Sequence, residues 1–172
     1  MELWNRVETP LGEMLVVSDG TALTEVCFAE ERVFQGDPAE IPVLQQANEW
    51  INIFFDGEDP GPIPPVAPKG SPFQHEVWEI VAKVPYGELI TYGDIAVEIA
   101  AKRGILKMAA QAVGNAVGKN PLMLFVPCHR VIGAGGNLTG YGGRMDRKIA
   151  LLRLEGHDMR RFSFPDGTPL KV

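Results

Sequence analysis

Six prolines crowd the stretch from Pro60 to Pro72, with Gly61 and Gly70 among them. Proline lacks the amide hydrogen that a helix or a central strand must donate, so neither can run through this stretch. It therefore divides the chain into residues 1–68 and residues 69–172, joined by an extended connection in which Ile63 to Val66 could form at most an edge strand. At 172 residues and 45% hydrophobic, the chain suffices for one sizeable or two small domains. Charge divides at the same point. Residues 1–68 hold only Arg6 and Arg32 against 13 Asp/Glu, a net of −11, whereas residues 69–172 hold 14 Lys/Arg against 9 Asp/Glu, a net of +5. An acidic module tied to a basic one places any polyanion partner on the second part; chance segregation of solvated charge would look the same.

In the first part, Gly12–Ser18 and Thr21–Phe28 are β-rich runs around Asp19-Gly20, a hairpin signal. Val43, Ala47, Trp50, Ile51, Phe54 and Phe55 recur at helical spacing, with Gly57 as a stop. Cys27 lies in an apolar strand, where a free thiol is a small buried hydrophobe. The second part opens with Ser71-Pro72-Phe73-Gln74, a capping box with proline at the first helical position, ahead of Phe73, Val77, Ile80, Val81 and Val84 on one face. Thr91 caps a second helix that ends near Gly104, and a third is expected from about Lys107 to Gly118. Two short helices joined by a turn suggest helix-turn-helix geometry. Leu122–Val126 reads as a buried strand, and a last helix runs from about Arg144 to Glu155 with Gly156 as its stop. The expected fold class is α/β in the α+β sense, with a small hairpin-and-helix domain followed by a mainly helical domain.

The third helix carries Ala110, Gly114 and Gly118 at i, i+4 and i+8, flanked by Gln111 and Asn115. Glycine costs about 1 kcal/mol against alanine inside a helix, so this bare stripe needs a reason. Close helix–helix packing is one, and a helix pressed into a narrow groove is the other. Beyond it, Cys128 stands beside His129 and Arg130. A base that takes the thiol proton and a positive charge that steadies the thiolate would make it a nucleophile; without them it is an inert buried cysteine. Neighbouring side chains in extended chain point apart, so contact between Cys128 and His129 requires a turn or a bridging water. Glu155 in the last turn of a helix opposes the helix dipole, a local cost that holding His129 would repay.

Other classes are excluded. No pair among Cys27, Cys128, His75, His129 and His157 has the short spacing of a structural zinc site, so neither a metal nor a cofactor is expected. Two cysteines make no disulfide framework, no apolar run is long enough for a bilayer, and the start lacks a signal-peptide pattern. A soluble monomer is expected, in the cytoplasm, or in the nucleus if the source is eukaryotic. The sequon Asn137-Leu138-Thr139 is discounted on the same ground.

Pro127-Cys128-His129-Arg130-Val131, preceded by Asn120-Pro121 and followed by Thr139-Gly140-Tyr141-Gly142-Gly143 and Glu155-Gly156-His157, resembles the O6-alkylguanine-DNA alkyltransferases. Ser71-Pro72-Phe73-Gln74, Val84-Pro85-Tyr86-Gly87 and Thr91-Tyr92-Gly93-Asp94 extend the resemblance to roughly residues 71–157. It implies direct repair of double-stranded DNA containing O6-alkylguanine: minor-groove binding by the helix-turn-helix, base flipping, and transfer of the alkyl group to cysteine. By matching position it implies Cys128 as acceptor, His129 as base through a water, and Glu155 as its orienting partner. Asn120 would shape the turn, Tyr92 would press on the phosphate beside the lesion, and Ala110 and Gly114 would line the groove-facing stripe. Tyr141 and the backbone at Val131 and Gly142 would read the extruded base, with Arg130 on the DNA side. The chain departs from the family where a helix arginine commonly fills the gap left by the flipped base: Gln111 stands there. That leaves a lesion-binding sensor with little transfer as the alternative. A cysteine hydrolase finds no substrate signature.

Overall fold

The computed structural model describes residues 2–35, 37–139 and 144–170. The chain forms two compact units, Met1–Lys69 with Pro121–Phe125, and Gly70–Asn120 with Val126–Val172.

In the first unit, β1 (Leu3–Thr9), β2 (Gly12–Ser18) and β3 (Leu23–Phe28) form an antiparallel sheet in that order. Asp19 closes the β2–β3 turn, its Oδ1 accepting from the amides of Thr21 and Ala22, while Gly20 takes φ 111°, open to glycine at little strain. The strand consequently starts at Leu23. No alternation announces β1, because Trp4 and Asn5 are both buried. α1 (Pro42–Phe55) turns Val43, Leu44, Ala47, Trp50, Ile51 and Phe54 into the core. The proline-rich stretch lies along it, with the Trp50 indole donating to Gly61 O, and pairs with the sheet through one parallel bridge, Leu23 to Val66.

Leu122–Val126 is not the strand its apolar run suggested. Leu122 makes a single parallel bridge to Val26, after which Leu124 takes φ 71° and the ladder stops. The run is still buried: Phe125 packs on Trp50 with ring centroids 4.5 Å apart. Apolar content gave its burial; the left-handed residue set its shape.

The second unit is built on local signals. Ser71 and Thr91 each accept from the third helical amide while Gln74 and Asp94 reach back, starting α2 (Pro72–Ala82) and α3 (Tyr92–Arg103). Gly104 ends α3 at φ 66°. α4 spans Ala110–Gly118 and starts later than its apolar pattern suggested, since no Ser, Thr, Asp or Asn precedes it to cap an earlier start. It buries Val113, Ala116 and Val117 and is tied to α2 by the Trp78 indole, which donates to Ala116 O at 2.8 Å. β4 (Ile90–Thr91) and β5 (Val131–Ile132) pair in parallel, and α5 (Met145–Leu154) ends at Glu155 and Gly156, the latter at φ 90°. Ile132, Leu138, Leu152, Met159, Phe162 and Leu170 form the core beneath α5.

Candidate active site

Cys128–Arg130 is a single 3-10 turn, closed by the Arg130 amide donating to Pro127 O at 2.9 Å. The turn removes the objection that consecutive side chains diverge. It buries all three residues, with Cys128 9%, His129 0% and Arg130 7% exposed. β5 then pairs with β4, which leads directly into α3.

Glu155 is the hub. Its Oε2 meets His129 Nε2 at 2.6 Å. Arg130 donates from Nε to both carboxylate oxygens, at 2.9 and 3.1 Å, and from Nη2 to Oε2 at 2.9 Å. The Gly87 amide donates to Oε1 at 3.0 Å, and Arg130 Nη1 donates to Val84 O at 2.7 Å. The Val84–Gly87 segment is thus part of the site. Burial works against the Glu155 carboxylate, but His129 and Arg130 together outweigh it and hold the group at about 2. The same burial, aided by the charges of Arg130 and Lys148, pushes His129 below its ordinary value against the pull of Glu155. A neutral imidazole that gives Nε2–H to Glu155 carries its lone pair on Nδ1, the arrangement of an oriented base.

Lys148 was not foreseen. It is 1% exposed on α5, and its ammonium donates to Val131 O at 2.6 Å. Burial pushes it down to about 8, while the charge of a Cys128 thiolate favours the ammonium. The two groups are therefore electrostatic neighbours. Its only sequence signal was a lysine inside an amphipathic helix, which ordinarily points outward.

The remaining residues take distinct places. Asn120 Nδ2 donates to Val126 O at 2.8 Å, clasping the chain at both ends of 121–125. The Tyr92 hydroxyl lies 2.5 Å from Thr139 Oγ1, and burial together with the nearby Cys128 charge raises it above its usual range. A Cβ at Gly114 would meet only that tyrosine ring, at 3.8 Å, and one at Gly118 would meet nothing. The stripe is open at both ends, where Ala110, Gln111 and Gly118 are exposed, and only the half-buried Gly114 faces another helix, through Tyr92 at the start of α3. Arg130, expected on the DNA side, is instead turned inward onto Glu155, because a buried carboxylate demands a cation. Val131 is buried, with its amide donating to Cys128 O and its carbonyl taken by Lys148. Tyr141 and Gly142 lie outside the described residues.

Residues 72–157 match the family described as "6-O-methylguanine DNA methyltransferase, DNA binding domain". The methylated-DNA–protein-cysteine methyltransferase of Haemophilus influenzae is 37% identical over 86% of this chain and 82% of its own length. The chain belongs to the methylated-DNA–protein-cysteine methyltransferases. The constitutive enzyme of Bacillus subtilis is 36% identical over 90% of this chain and 96% of that one. The crystal structure of Mycobacterium tuberculosis O6-methylguanine methyltransferase superposes with a TM-score of 0.76 at 34% identity, covering 99% of this chain and 97% of that one. That of Mycobacterium tuberculosis OGT in complex with DNA gives 0.75 at 35% identity over 96% and 94%. The mixed α and β architecture is thus one that a methyltransferase of this family takes. Among the described residues, no helix is long and apolar enough to cross a membrane.

Proposed function

We propose that this protein repairs duplex DNA by moving an alkyl group from O6 of guanine to Cys128, once per molecule. The observation that carries the reading is the buried Cys128–His129–Glu155–Arg130 constellation, in the same unit as a helix stripe bare of side chains that is exposed at Ala110 and Gly118. No Asp or Glu occurs between Glu98 and Asp146, a stretch that includes Lys102, Arg103, Lys107 and Lys119 as well as α4 and Cys128. Glu98 and Glu76 reach into that surface from outside the stretch, paired with Lys102 and Arg103, and Lys107 and Lys119 leave it net positive toward phosphates. The Ala110/Gly114/Gly118 stripe suits a minor groove about 6 Å wide. Residues 69–172 carry these contacts, and the acidic residues 1–68 stay off the polyanion. The protein works as a monomer where the DNA is, in prokaryotic cytoplasm or a eukaryotic nucleus.

His129 takes the thiol proton at Nδ1, through a water, while Glu155 holds the ring and Arg130 keeps Glu155 ionised. The thiolate attacks the alkyl carbon in line. The S–C bond forms as the C–O6 bond breaks, and its electron pair passes into the purine. Burial keeps the Tyr92 hydroxyl protonated, so it can hydrogen-bond to that developing charge as well as help the base rotate out. Extrusion costs a few kcal/mol of stacking, less for a poorly paired alkylated base. The thioether is a poor leaving group, and no second thiol lies within the network, so turnover stops at one. Asn120 shapes the approach to the site, and Tyr141 with the backbone at Val131 and Gly142 reads the extruded base.

Incubation with duplex DNA containing O6-methylguanine should add one methyl group to the peptide carrying Cys128, read by mass spectrometry, and leave guanine in the DNA. Tight lesion binding with an unmodified thiol would select the sensor reading, which Gln111 in place of the usual arginine favours.

A further inference from the structure

Large hydrophobic side chains are exposed at four described positions, and three of them, Val97 (71%), Ile105 (45%) and Leu106 (106%), sit on α3 and the turn after it. Leu106 has no packing at all. They border a cavity of about 480 Å³ that Ala100, Met108 and Ala110 also line. Ala110 is the first residue of the bare stripe on α4, so the apolar tip continues the surface assigned above to the minor groove. Its charges suit the same partner. Lys107 adjoins Leu106, while Lys102 and Arg103, which precede it, are paired with Glu98 and Glu76.

We propose that Leu106, with Ile105 beside it, is an apolar wedge pressed into the minor groove next to the lesion, supplying the unstacking push for which Gln111 is too short. The partner is duplex DNA, and the inference rests on the repair reading above. Minor-groove proteins commonly drive Leu, Ile or Met between base steps, and the bend this produces brings more protein against the backbone. A leucine held out in water next to lysines has an evident use there. The wedge acts on the stack while Lys107 acts on phosphates, so the two contributions differ in their response to salt.

The test uses the full chain with a duplex carrying O6-methylguanine beside 2-aminopurine, whose fluorescence reports unstacking. Leu106 makes no packing contact in the fold, so Leu106→Ala removes a wedge and no core. Its affinity should fall about tenfold, the loss expected for one apolar side chain, with the slope of log affinity against log salt unchanged. The 2-aminopurine signal should drop, as should the rate of transfer from the duplex divided by the rate with free O6-methylguanine base. Lys107→Ala should instead lower the salt slope by about one. Wild-type affinity and fluorescence in Leu106→Ala would overturn the wedge. So would a wild-type dimer that Leu106→Ala turns into monomer with DNA binding intact, since the patch would then join two copies. If wild-type protein leaves Cys128 unmethylated by the duplex, the repair reading itself fails, an outcome distinct from a transferring protein that has no wedge.

Discussion

Cys27 and Cys128 are buried almost equally, 7% and 9% exposed, yet they have opposite chemical prospects. Cys27 lies in β3 opposite Leu15, packed with Trp4, Leu15 and Val17. Burial, helped by Glu31, pushes its thiol up to about 11. Cys128 sits in a 3-10 turn beside His129 and Arg130, with the Lys148 ammonium as an electrostatic neighbour. If Cys128 is the acceptor proposed here, exposure does not tell the two sulfurs apart; the charge of their neighbours and the backbone that gathers them do. A strand sends successive side chains to opposite faces, whereas the tight turn brings consecutive residues into one network.

The comparison is sharpened most by exchanging the sulfurs. Cys128→Ser should abolish transfer, with no methyl gained from the lesion duplex in the mass spectrum. Methylation appearing elsewhere on that variant would refute the assignment. Glu155→Gln comes next. It leaves Arg130 buried against a neutral amide, which should cost about 3–5 kcal/mol in urea unfolding. It also unseats His129, and transfer should slow about a hundredfold. The group is held at about 2 against an ordinary 4.5, so its contribution is full above 4.5 and is lost as pH falls toward 2. The glutamine variant should lack that acid-side loss, and if its acid unfolding matched wild type, the hub would be misassigned.

What the sequence revealed of this contrast follows a physical rule. Ser71, Thr91 and Gly104 were legible because capping is decided within four residues, and the structure places each at a helix end. Glu155 was legible as an anomaly, a carboxylate at a helix C-terminus. The remedy was not: Arg130 was expected on the DNA side because nothing in a tripeptide says which way a 3-10 turn faces. Lys148 and the Gly87 amide meet the site only through β4–β5 pairing and the placement of α5, which no local pattern encodes. The same holds for Pro121–Phe125, whose apolar character shows burial but not its place in the first unit.

Lys148→Met probes the charge around Cys128 more gently. Losing a cation whose charge favours the Cys128 thiolate should slow transfer about tenfold, the effect of moving the thiol pKa up by about one. Stability should move the other way or stay put, since a buried ammonium is exchanged for an apolar chain of similar length. The folded protein holds this proton less tightly than the unfolded chain, at about 8 rather than 10.5, so this group's contribution to stability rises with pH between those values, and wild type should gain on the methionine variant there. The difference in thermal unfolding between the two proteins should carry that rise. A variant that transfers at the wild-type rate would remove Lys148 from the contrast.

The smallest effect belongs to the other sulfur. Cys27→Ala deletes one buried atom from the cluster of Trp4, Leu15 and Val17 and should cost about 1 kcal/mol, with methyl transfer to Cys128 unchanged. Its signature is in alkali. The folded thiol keeps its proton to about 11 while the unfolded one loses it near 9, so this group's contribution is full below 9 and is lost as pH rises toward 11. Wild type should lose stability relative to the alanine variant across that window. Iodoacetamide should accordingly label Cys128 and spare Cys27 near neutral pH, reaching Cys27 only in that alkaline range or on unfolding. Prompt labelling of Cys27 in the folded protein would mean that burial in a strand does not silence a thiol here, and the contrast with Cys128 would have to rest on geometry alone.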